Sequence, residues 1–62
     1  MDKPDCKLVG ENGNIFNLMG KASKTLKSIG MKDLANEMIQ RVTSSHSYDE
    51  ALVIIAEYVN VY

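Results

Sequence analysis

Few residues in this 62-residue chain have the types and spacing that chemistry needs. Cys6 is its one cysteine and His46 its one histidine, and a thiol attacks only with a base beside it. Nothing in the sequence brings the two together, and a single cysteine with a single histidine makes neither an internal disulfide nor a usual zinc set. Gly10-Glu11-Asn12-Gly13-Asn14 invites a ligand-loop reading. Phosphate loops, however, carry more glycines with a lysine, and calcium loops space several oxygen ligands before a closing glutamate, so a structural turn is expected. Asp49 and Glu50 are adjacent carboxylates better explained by the positive end of a helix that starts just before them. No catalytic residue, cofactor or metal ligand is assigned, and an enzyme is not expected, because so small a domain rarely encloses a substrate pocket while keeping a core.

Surface charge offers more. Lys21, Lys24 and Lys27 stand three apart and Lys32 follows, a spacing that forms a ridge on a helix and makes these four the candidate phosphate contacts. The competing explanation is an ordinary solvated face. Arg41 is the sole arginine for bidentate base reading, and Phe16 and the three tyrosines do not interleave with basic residues. A helix-turn-helix built on the last two helices would bring Asp49, Glu50 and Glu57 toward phosphates, an electrostatic fault.

The elements that position these residues follow from periodicity. Ile15, Leu18, Met19, Ala22, Leu26 and Ile29 fall within one arc, with Lys21, Lys24 and Lys27 opposite, which predicts a helix over 15–29 capped by Asn14 and ended by a left-handed Gly30. A β-hairpin around Asn12-Gly13 is the alternative, and it would not keep that pattern for so long. Met31, Leu34, Ala35, Met38, Ile39 and Val42 share a face and predict a second helix over 32–43. Ser47-Tyr48-Asp49-Glu50 spells a capping box, so the β-branched run after it is read as a third helix over 48–58. Its apolar stripe is already wide, and Val53 and Ile54 at its edges are the candidate partner-binding residues. Residues 1–5 read as a loose lead-in, while Cys6–Val9 and Val59–Tyr62 are short extended segments able to pair beside the helices, the alternative being a third helix that continues and frays. The fold class is therefore a small α+β domain, mainly helical, occupying residues 1–62 as one unit.

Size and charge bound the partners. The scaling of surface with mass gives roughly 4,000 Å² for a folded chain of this length, and the hydrophobic gain nearly cancels the cost of ordering it. A partner chain is a natural remedy. Net charge is -1, but residues 1–32 carry +3 and residues 33–62 carry -4. No run of 18 apolar residues occurs and MDKPDCK lacks an apolar signal segment, so a cytoplasmic protein with a reduced thiol and no membrane partner is expected.

The string KLVGENGNIFNLMGKASKTLKSIG, followed by a polar helix and SYDEALVIIAEYVNV, resembles small proteins encoded in mobile elements and phages of Gram-positive bacteria. The resemblance spans residues 7–61. It is carried by Lys7–Gly10 with Glu11 and Gly13-Asn14, by Met19-Gly20 where leucine-glycine is usual, and by Tyr48-Asp49 with Leu52. It implies a fold and a genomic setting, and no activity, ligand or catalytic residue comes with it. The function expected from the residues is a small protein-binding or self-associating accessory module, with a homodimer as one form of it; the alternatives are a weak nucleic-acid-binding protein using the lysine ridge and a compact monomer of another role.

Overall fold

Asn14 starts the first helix, α1 (Ile15–Ser28), by accepting the Phe16 N–H on its side chain at 2.8 Å, while Asn12 Oδ1 takes the Asn14 N–H at 2.9 Å. The computed structural model describes residues 3–62. Leu18, Ala22 and Leu26 recur every fourth position and are buried, so one stripe of α1 faces the core. Gly30, at φ +79°, ends the helix: its N–H reaches Lys27 O at 3.1 Å and the Met31 N–H reaches Leu26 O at 2.9 Å, the paired bonds of a Schellman cap.

The chain enters α2 (Lys32–Thr43) directly from that turn, without a side-chain cap, and buries Ala35, Met38 and Val42. Hydroxyls stop it. Thr43 Oγ1 donates to Ile39 O at 2.9 Å within the last turn, and Ser45 Oγ donates to Val42 O at 2.6 Å, taking a carbonyl that a continuing helix would use. Ser47 then caps α3 (Tyr48–Tyr58) by accepting the Glu50 N–H at 3.1 Å. The return half of the capping box lands one residue early, since Glu50 Oε2 accepts from the His46 N–H at 3.2 Å rather than from Ser47.

After Tyr58 the chain straightens through Val59 into β2 (Asn60–Val61), which pairs in parallel with β1 (Asp5–Cys6) in the register Asp5 to Asn60 and Cys6 to Val61. The N-terminal strand lies earlier than the expected Cys6–Val9. Leu8 and Val9 both donate to Tyr62 O, at 2.8 and 2.9 Å, and the chain turns immediately, with the Glu11 N–H on Leu8 O. The positive φ of that turn belongs to Gly10 (+87°), not to the Asn12-Gly13 pair. Of the expected lead-in over 1–5, Asp5 is strand, Pro4 O accepts the Asn60 N–H at 2.8 Å and Lys3 Nζ donates to Ala56 O at 2.9 Å; residues 1 and 2 lie outside the described ones.

The result is a small α+β fold of three helices and a two-stranded parallel ribbon, with an accessible surface of 4077 Å². Leu26, Met38, Ile55 and Val59 are its largest fully buried side chains, contributed by α1, α2, α3 and the segment leading into β2. Ala22 and Ala35 are also fully buried, and such small residues allow close approach between α1 and α2. Among the described residues no helix is long and apolar enough to cross a membrane.

Candidate functional site

α1 and α3 begin side by side, because the Tyr48 hydroxyl donates to the Gly13 carbonyl. Between these two starts and the end of α2 lies an open cleft of about 320 Å³. Ile15, Val42 and Ala51 contribute apolar surface to it, Phe16 and Tyr48 are its aromatic residues, and Ser45, His46 and Ser47 its polar ones. Phe16 is 68% exposed and Tyr48 47%, so neither aromatic ring is spent on the core. At each helix start beside the cleft one backbone donor is taken, the Phe16 N–H by Asn14 and the Glu50 N–H by Ser47. His46 is the only titratable group besides the Tyr48 phenol in the lining, and its Nδ1 stands 3.9 Å from Glu50 Oε2. Apolar docking is what this arrangement can do.

The structure disperses the other candidates. Cys6 is buried, with Thr25 Oγ1 3.5 Å from its sulfur, whereas His46 lies exposed in the α2–α3 connection, so thiol and imidazole are not brought together. Among the described residues no group of three or more His, Cys, Asp or Glu side chains is placed to hold a metal ion. Val53 and Ile54 part company: Val53 is 63% exposed, while Ile54 is 7% exposed and belongs to the core, which removes Ile54 from any free surface.

Lys21, Lys24, Lys27 and Lys32 are all exposed. Lys21 is not free, because Glu11 Oε1 stands 2.6 Å from its Nζ and that hydrogen bond raises its pKa above the ordinary ammonium value. Lys24, Lys27 and Lys32 form no ion pair among the described residues. Arg41 is likewise committed. Its fork donates to Glu57 Oε1 at 2.9 Å and Oε2 at 3.0 Å, and Nη1 also donates to the Tyr58 hydroxyl at 3.2 Å, with the guanidinium carbon 5.7 Å from the ring centroid. Tyr58 in turn donates to Glu37. This network clamps α2 to α3 and leaves no free arginine fork for bases.

The clamp titrates. Hydrogen bonding from Arg41 holds the Glu57 carboxyl below its ordinary value, and burial followed by the bond to Glu37 pushes the Tyr58 phenol up. With the folded pKa of Glu57 depressed, the unfolded chain binds more protons between the two pKa values, so this contribution is present above the unfolded value and lost as pH falls through the folded one. Glu57→Gln should therefore lower the thermal midpoint most at neutral pH, and the gap from wild type should close in acid. A gap independent of pH would show that the ion pair contributes nothing.

Sequence reasoning did not find the cleft. One signal for it exists, since Phe16 sits about 100° around α1 from Ile15 and outside the apolar arc, but its neighbours across the cleft come from positions 42–51. Comparison with protein-family models, with curated proteins and with solved structures finds no match for this chain.

Proposed function

We propose that this chain is a small protein-binding module that docks a partner in the cleft between the starts of α1 and α3. The observation that carries the reading is Phe16, a large aromatic side chain left mostly in solvent at the edge of an apolar cleft. Exposed aromatics in such positions are the usual anchors of interfaces. The lining contains no lysine or arginine, and Asp49 and Glu50 lie exposed in the same turn of α3 that supplies Tyr48 and Ala51. The preferred partner is thus an apolar side chain flanked by basic ones. A mobile element or phage is the genomic setting that the sequence resemblance supplies for such a module, and an accessory role in the cytoplasm is the one we assign it. Phosphate contact through the lysines is the weaker reading, because Glu11 occupies Lys21 and Glu57 occupies Arg41.

Selection of a displayed random-peptide library against the protein tests this. Enriched peptides should place an apolar residue next to Lys or Arg, and Phe16→Ser should weaken them about tenfold or more, as loss of an aromatic anchor does. The variant should stay folded, since exposed positions usually shift stability by about 0.5 kcal/mol or less. No enrichment, or enrichment indifferent to Phe16→Ser, overturns the reading.

A further inference from the structure

We infer that the occupant of the cleft is the α1–α2 turn of a second copy of this chain, so that molecules join head to tail. The inference rests on the docking reading above and names its partner. At that turn the reversal at Gly30 leaves Ile29 49% exposed, and Leu34 is exposed close by. Lys27 and Lys32 bracket Ile29 in sequence, both exposed and both without an ion pair among the described residues. The turn is an apolar knob between two free ammonium groups, and the exposed Asp33 carboxylate beside Lys32 reduces its side-chain charge to a net +1.

The cleft is its electrostatic complement. Two helix N-termini contribute roughly +0.5 charge each, and Asp49 and Glu50, exposed in the first turn of α3, bring two full negative charges, leaving the mouth net negative beside a lining without lysine or arginine. Lys27 and Lys32 of one copy thus face Asp49 and Glu50 of the next.

Geometry forbids a chain from filling its own cleft. Phe16 and Ile29 lie at opposite ends of α1, about 20 Å apart at 1.5 Å per residue, and the bond from Tyr48 to Gly13 holds the start of α3 at the Phe16 end. Knob and cleft are different surfaces, so the contact is heterologous and leaves a free knob and a free cleft after each addition. A standard interface takes about 800 Å² from each partner, which would be a fifth of the 4077 Å² surface. One helical turn covers less, which puts the contact in the weak, transient class.

Sedimentation velocity over a concentration series tests the inference with four samples: wild type, Phe16→Ser with the cleft impaired, Ile29→Asn with the knob impaired, and an equimolar mixture of the two variants. The expected result is a wild-type mass that climbs past the dimer as concentration rises. Each variant alone should associate about tenfold or more weakly, and the mixture should form a dimer and stop, because it retains one intact cleft and one intact knob. Lys27→Glu with Lys32→Glu should behave as Ile29→Asn does and be rescued by the same mixing, which guards against a folding defect particular to Ile29. A monomeric wild type, a closed dimer that does not grow, or a mixture that stays monomeric overturns the inference. A monomeric wild type that still enriches basic apolar peptides leaves docking in the cleft standing with a different occupant, whereas failure of both experiments removes the docking reading as well.

Discussion

Ile55→Ala should remove a large part of the stability of the domain. Ile55 sits in the middle of α3 with no exposed surface, in the core shared with Leu26 of α1 and Met38 of α2. Truncating a buried isoleucine to alanine costs about 2–5 kcal/mol, the spread reflecting how far the surroundings collapse into the cavity. Against that, stability of about 0.05–0.15 kcal/mol per residue gives a domain of this length only about 3–9 kcal/mol in all. The loss is a large fraction of the whole. Val53→Ala is the matched control: two residues earlier on the same helix, Val53 stands in solvent, and alanine is the better helix former, so its effect should be neutral or slightly stabilising. Thermal unfolding followed by circular dichroism reads both. A cost for Val53→Ala equal to that of Ile55→Ala would mean that Val53 is covered by a partner in solution.

Gly30→Val should lower stability by about 2 kcal/mol, since an L-residue in the left-handed region costs about 1–2 kcal/mol and a β-branched one tolerates it worst. No atom stands within 4 Å of where a Cβ on Gly30 would lie, so the cost is one of backbone conformation alone. If the residue escapes to negative φ, the bonds from Gly30 to Lys27 and from Met31 to Leu26 are lost and the entry to α2 moves with them. For a domain of this size the midpoint should fall by roughly 10 °C. Gly20→Ala makes the opposite-sign partner. Gly20 lies inside α1, a Cβ there also meets nothing within 4 Å, and replacing a helical glycine by alanine gains up to about 1 kcal/mol. Two glycines, each in open space, should thus respond in opposite directions. Equal responses would show that the left-handed cap at Gly30 does not form in solution.

Clamp and cleft divide the work of α3 between its two ends. Near its end, Tyr58 and Glu57 hold Arg41 and Glu37 of α2, and Val59 leads into the ribbon that closes the fold. At its start, Tyr48 fastens α3 to the segment before α1 while leaving half of its own surface exposed beside Phe16. The anchoring end uses paired charges, and the cleft end keeps its carboxylates free of arginine or lysine partners among the described residues. Substitutions at Arg41 or Glu57 should therefore report on stability, and substitutions at Phe16 on binding.

The three helices were legible in the sequence to within a residue of their ends, because what starts, faces and stops a helix is written in neighbouring residues. Asn14 and Ser47 cap the turn that immediately follows them, Leu18, Ala22 and Leu26 recur with the helix period, and Gly30 needs only its own φ to end α1. The pairing of the two chain ends was legible only as one of two options, the other being a third helix that runs on, and its register lies one residue earlier in the first strand than the sequence suggests. Periodicity did not separate Val53 from Ile54, since a wide apolar stripe shows only that one part is covered, and packing of α3 against its neighbours decides which part. Nor did it foresee that Glu11 would hold Lys21, that Glu57 would occupy the only arginine, or that Phe16 and Tyr48 would border one cleft. Each of those contacts joins side chains from separate elements. Their meeting depends on how the helices cross and where the connecting loops return, quantities set by the whole core at once and absent from any local window of sequence.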